Sequence, residues 1–199
     1  MSEIAETITE AVDHASESRL NGLIALLVAV TATFTALCNV KDGNVVQAMA
    51  QDQANAVDAW SYYQAKGTKQ NIAESALDQL TLERDLRPDL PAEARARVDK
   101  RIDEYKARVK LYEDEKVTIM EHAKGFQTDY DALNVHDDQF DLAEALSSVA
   151  IALFGVTALT RKRPLLVVGL VFAGVGAVFG VSGFLKLGLH PDFLVRLIS

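Results

Sequence analysis

Two stretches of this chain carry no charge over the length of a bilayer-spanning helix, and they limit what it can fold into. Residues 20–40 and 165–185 contain no Asp, Glu, Lys or Arg. About 20 consecutive apolar residues cross the hydrocarbon core of a membrane as a helix. The charges are gathered between them, with 14 Lys/Arg and 21 Asp/Glu in residues 41–141. Hydrophobic and charged residues so segregated predict a membrane protein with a polar insert. The net charge of −8 argues against nucleic acid as a partner.

The polar insert has its own periodicity. Steps of three and four from Ile102 reach Tyr105, Val109, Tyr112, Lys116, Ile119, Ala123, Phe126, Tyr130 and Leu133, with Lys116 the one polar member. That alternation is the seam of a left-handed coiled coil, since it keeps one narrow stripe facing a partner helix. Upstream, Val46, Met49, Ala56, Trp60 and Tyr63 hold the same spacing, with Gln53 an exception. After Gly67 the pattern shifts to Ala73, Ala76, Leu77 and Leu80, which predicts a stutter or bend. Arg-Pro-Asp-Leu-Pro at 87–91 separates the two helices, because proline restricts the residue before it and lacks an N–H. Helices joined by so short a turn run antiparallel, giving a hairpin about 60 Å long if straight.

The fold class expected is an all-α membrane protein with three transmembrane helices and a long antiparallel coiled-coil hairpin. Residues 1–19 read as an acidic amphipathic tail without signal-peptide features. Transmembrane helix 1 is 20–40, and Lys-Asp-Gly-Asn at 41–44 reads as a break. The hairpin occupies 41–141, with His136-Asp137-Asp138 a possible cap for a helix re-entering the bilayer. Helix 2 spans 142–160, a basic loop covers 161–164, helix 3 spans 165–185, and 186–199 form an interfacial tail. The Arg161-Lys162-Arg163 loop favours the cytoplasmic side. That puts the amino terminus inside and the hairpin in the periplasm of a bacterial inner membrane.

Candidate sites were weighed against plainer structural roles. Gly174, Gly176, Gly180 and Gly183 are not a phosphate loop, because no strand precedes them and no Lys-Ser/Thr follows. Gly176 and Gly180, like Ala25 and Ala29, are spaced for close helix packing, here between subunits. His136, Asp137 and Asp138, with the more distant His122, are weak metal candidates, for no ligand spacing supports them; a solvated acidic face is the plainer reading. Glu144 sits where it reaches headgroups or relays ions. Cys38, the only cysteine, rules out an intramolecular disulfide. It reads as a small helix- or lipid-facing residue, with an intermolecular disulfide the other option. Trp60, Tyr62 and Tyr63 exceed what a two-helix seam needs, which predicts packing against a third helix or a partner protein. No nucleophile–base arrangement is present, so neither an enzyme nor a cofactor is expected.

The run Gln51-Asp52-Gln53-Ala54-Asn55-Ala56-Val57-Asp58-Ala59-Trp60-Ser61-Tyr62-Tyr63-Gln64-Ala65-Lys66 resembles the hallmark of an uncharacterised family of bacterial membrane proteins, described only as a domain of unknown function. The resemblance extends from end to end: acidic tail, one span, a long helix opened by the Trp-x-Tyr-Tyr-Gln-Ala-Lys segment, a charged return helix, and two spans joined by a basic loop. It implies location and architecture, and brings no reaction or ligand. The expected function is therefore a homo-oligomeric inner-membrane scaffold or accessory protein, surrounded by lipid, whose hairpin binds or organises another envelope protein. The alternatives are an oligomeric pore lined by Thr31, Thr33, Thr35, Glu144 and Ser182, and a periplasmic sensor lacking an output domain.

Overall fold

The computed structural model describes residues 2–189, and the side chains of 19–189. The expected packing of the acidic tail and the interfacial segment of 190–199 lie outside these limits. Among the described residues there are three helices and no strand: α1 (Ser2–Leu86), α2 (Ala92–Thr160) and α3 (Arg163–Phe184). Each is long and apolar enough over part of its length to cross a membrane. The chain divides into two compact units, one of residues 1–48 and 132–199, the other of 49–131.

In the first unit α3 packs on α2 and α1 through its glycines. A Cβ on Gly169 would lie 2.8 Å from the Phe154 ring, and one on Gly183 2.7 Å from Phe140. One on Gly176 would lie 3.0 Å from Ser147 Oγ, and one on Gly180 2.6 Å from Phe34 and 2.9 Å from Cys38 Sγ. As the α3 number rises the α2 partner falls, so the two helices are antiparallel. Small residues admit such close approach. The contact is completed by the Phe140 and Phe184 rings, 5.3 Å apart and edge to face. Farther along, Ile24, Ala150 and Phe154 form a buried cluster flanked by Leu27, Leu166 and Phe172. Cys38 is fully buried against this packing rather than turned to lipid.

The turns at either end of α3 each use a non-glycine residue in the left-handed region: Arg161 at φ 58° and Lys186 at φ 53°. Both close a helix end. Arg161 N–H donates to Thr157 O at 2.7 Å, and Leu187 N–H donates to Ser182 O at 3.0 Å, the six-to-one bond of a Schellman motif.

In the second unit, residues 49–86 of α1 run antiparallel to the start of α2. The turn between them holds Leu90 N–H to Arg87 O at 3.4 Å. All ten positions from Ile102 to Leu133 in three–four steps are buried or half-buried. The matching α1 stripe differs from the expected one. It runs Val45, Met49, Asp52, Ala56, Ala59, Tyr63, Lys66, Gln70, Ala73, Leu77, Leu80, Arg84, each buried or half-buried, while Val46 is exposed. The three–four alternation passes through Gly67 without a slip. The expected stutter does not form, because the polar Lys66 and Gln70 occupy the stripe on either side of Gly67.

Neither expected helix boundary near the first unit forms. α1 is unbroken through 41–44, and α2 is unbroken through 136–138. Gly43 costs about 1 kcal/mol relative to alanine in a helix interior. A break would instead strand several backbone groups and misplace Val45 and Met49, both buried. At 136–138, His136 and Asp138 bond within their own helix, Asp138 Oδ2 accepting from Asn134 Nδ2 at 3.4 Å, while Asp137 faces Asp42 of α1, so no cap forms. α3 also starts two residues earlier than expected, with Pro164 in its first turn.

The glycines make a direct test. Gly180→Leu should destabilise the protein in detergent by about 1–3 kcal/mol through overpacking. Gly125→Ala, where an added Cβ meets nothing within 4 Å, should stabilise it by roughly 0.5–1 kcal/mol. Thermal unfolding of the two variants measures both signs.

Candidate functional site

Polar side chains gather at two levels, one in each unit. In the first unit they lie where the uncharged part of α1 meets its charged part, and where α2 makes the opposite change. Asn39 on α1, with its amide nitrogen turned to donate, reaches Glu144 Oε2 of α2 at 3.0 Å and Thr35 O at 3.2 Å. One turn on, Asp42 of α1 and Asp137 of α2 stand close enough for each carboxyl to act on the other.

Burial first, then the charge of Asp137, with Asp141 and Glu144 adding to it, pushes Asp42 up to about 6. Burial also raises Asp137, and the charge of Asp138 adds to it. Asp141 is raised by burial and then by Asp137, Asp138 and Glu144. Asp42 Oδ1 is buried without a hydrogen-bond partner.

Between these acids stands Gln139, 0% exposed. Its Nε2 donates to the carbonyls of Leu187 and Leu189, both at 2.7 Å, and its Oε1 lies 3.2 Å from His136 Nδ1. One side chain thus ties the segment after α3 to α2. His136, Asp137 and Asp138, named from the sequence as weak metal candidates, point to different partners: Gln139, Asp42 and Asn134. No three His, Cys, Asp or Glu among the described residues form a group suited to a metal ion.

The second level lies in the other unit. Lys66, 8% exposed, donates to Glu115 Oε2. Its ammonium lies 5.4 Å from the Tyr62 ring centroid and 5.3 Å from that of Tyr112. The Glu115 hydrogen bond holds its pKa above the usual lysine value. Lys116 donates to Gln70 Oε1 at 3.2 Å and lies 5.0 Å from the Tyr63 centroid. Ring faces attract ammonium groups and offset part of the cost of removing them from water. The expected third helix for the aromatic surplus is absent from this unit. Tyr62 and Tyr63 serve the two lysines, while Trp60 stacks edge to face on Tyr63 at 5.7 Å.

The small-residue positions divide. Gly176 and Gly180 are buried inside the chain, so the subunit contact expected of them is already occupied by Ser147, Phe34 and Cys38. Ala25 and Ala29 are exposed, and Ala29 lines a shallow apolar groove of about 350 Å³ with Val30, Thr33, Phe34 and Leu37. Thr33 and Thr35 bond to carbonyls one turn back in their own helix, at 2.8 and 2.9 Å. Asp42, Gln139, Lys66 and Gln70 were not singled out from sequence. For Lys66 and Gln70 a signal existed, since continuing in three–four steps from Tyr63 lands on both.

Gln139→Ala should cost about 1–2 kcal/mol, the loss of its two hydrogen bonds to the carbonyls of Leu187 and Leu189. Proteolysis or hydrogen exchange should show the loss first at residues 185–189. A loss spread evenly over the helices would count against this assignment.

No curated protein and no solved structure matches the chain. A family model does, over residues 20–186, and its description is a domain of unknown function. The match takes in both polar levels, the glycine face of α3 and the Trp60–Lys66 segment. This chain therefore belongs to the family described as domain of unknown function DUF4337.

Proposed function

We propose that this is a multi-pass protein of a bacterial inner membrane, acting as a homo-oligomeric scaffold or accessory factor. Its coiled-coil hairpin binds or organises another envelope protein. The observation that carries this reading is the outward face of α1 in the hairpin. Opposite the seam, helical steps pass through Val57, Ser61, Gln64, Thr68, Ile72, Ser75, Gln79, Leu82 and Leu86, all exposed. None is charged, in a segment where about a quarter of residues are. Ile72 is 64% and Leu86 71% exposed, and a groove of about 440 Å³ lies along Thr68, Ile72, Ser75 and Gln79. Exposed apolar residues grouped in this way mark interaction surfaces.

Copies tethered in one bilayer would meet through small residues, and Ala25, Ala29 and Thr33 on α1 remain free to do so. The basic Arg161-Lys162-Arg163 turn favours the cytoplasmic side and sets the hairpin in the periplasm.

Cross-linking in native membranes followed by mass measurement after gentle extraction tests the reading. We expect an oligomer with a retained envelope protein. Ile72→Glu with Leu82→Glu should release the partner and keep the oligomer, whereas Ala25→Leu with Ala29→Leu should reduce the oligomer. A monomer with nothing bound would overturn the proposal. Labelling of a cysteine at position 89 by a membrane-impermeant reagent from the periplasmic side checks the orientation.

A further inference from the structure

Charge is divided unevenly along the hairpin. Residues 94–111 of α2 hold 7 Lys/Arg against 3 Asp/Glu, a net +4. The whole chain has 20 basic and 28 acidic residues, so the remainder carries 13 against 25, a net −12. We propose that this basic segment, together with the uncharged face of α1, is a docking surface for an acidic amphipathic helix of the partner protein. The proposal rests on the reading that the hairpin binds another envelope protein, and it names the chemistry of that partner.

Most of these cations have no acidic partner. Arg101 meets Glu104 at 2.9 Å, and Asp99 is taken by Arg84 of α1 at 3.7 Å. Arg95, Arg97, Lys100, Lys106, Arg108 and Lys110 are exposed and form no salt bridge among the described residues. Arg108 lies 5.6 Å from the Tyr105 ring centroid, and a guanidinium against a ring face can still turn its N–H groups to a carboxylate.

The facing helix does not supply the missing acids. Lys66 reaches Glu115 and Arg84 reaches Asp99, so residues 66–84 of α1 lie level with 99–115 of α2. Arg101, Lys106 and Arg108 adjoin the seam residues Ile102, Tyr105 and Val109. Charges flanking such a seam ordinarily pair with the opposite helix and so select it. At this level the α1 acids turn elsewhere: Glu74 accepts from Gln70 at 2.8 Å, and Glu83 pairs with Arg87 at 3.2 Å. Asp78 is exposed and makes no salt bridge. What α1 presents outward is the uncharged row Thr68, Ile72, Ser75, Gln79 and Leu82. A long helical face of this kind suits the apolar side of a helix laid along it. Unpaired cations at the same level favour acidic flanks and repel basic ones. Lipid headgroups would answer the cations but offer nothing apolar to Ile72, which is 64% exposed.

The full-length protein in phosphatidylcholine nanodiscs, titrated with two labelled synthetic peptides, serves for the test. Both peptides carry leucines at three–four spacing; the remaining positions are rich in Glu in one and in Lys in the other. The Glu peptide should bind and the Lys peptide should not, and salt at about 0.3 M should weaken the binding. Lys106→Gln, Arg108→Gln and Lys110→Gln together should weaken the Glu peptide about tenfold, as expected of three exposed charge pairs. Arg95→Gln, Arg97→Gln and Lys100→Gln form a second variant with the same expectation, so one poorly folding protein does not leave the question open. Equal binding of both peptides would overturn the docking, as would unaltered binding of the Glu peptide by both variants. Recruitment of phosphatidylglycerol vesicles in preference to the Glu peptide would also overturn it. Cross-linking in native membranes separates this proposal from the reading beneath it. A partner held equally by wild type and both variants refutes the acidic docking and leaves the hairpin reading intact. A wild type that holds no partner overturns that reading, and the docking with it.

Discussion

The absence of four side chains on one face of α3 is the condition on which the first unit depends. Gly169, Gly176, Gly180 and Gly183 leave room that Phe154, Ser147, Phe34 with Cys38, and Phe140 fill. In apolar surroundings helices gain little from hydrophobic burial and rely on close contact and dispersion. Glycine costs helix propensity in water, but here it allows three helices to approach.

The polar residues on that shared interface follow one rule. A buried ionisable group is tolerated only with a partner, and each level supplies one from the facing helix. Lys66 meets Glu115 and two tyrosine faces, Lys116 meets Gln70 and a third, and Asn39 meets Glu144. Both helices run unbroken through stretches rich in residues that usually end helices, and side chains there bond across to the facing helix, as Asn39 does, or within their own, as His136 and Asp138 do.

Much of the fold was legible because it depends on local chemistry. Prolines at 88 and 91 lie between α1 and α2, and Pro164 stands in the first turn of α3. The stripe from Ile102 to Leu133 faces inward at every position. The misreadings share one cause. Lys66 and Gln70 were discounted as polar, so the α1 stripe seemed to slip at Gly67. Asp42 and Gly43 were read as a turn, and Asp137 and Asp138 as a cap. In each case an interaction with a residue distant in sequence or within the same helix outweighed a propensity of about 1 kcal/mol. Within the two helices Tyr62 and Tyr63 face Lys66 and Lys116, and Trp60 packs on Tyr63.

By itself the sequence determined the helical character of the chain, the placement of the prolines and the segregation of apolar from charged residues. These follow from backbone hydrogen bonding and from the periodicity of the chain. Only the tertiary structure decided that the glycine face of α3 is spent inside the chain while Ala25 and Ala29 remain outward. It also decided that Asp42 meets an acid rather than a base, and that Gln139 holds the segment beyond α3. Those depend on which side chain stands opposite which, a property of helix spacing and register that local preferences do not encode.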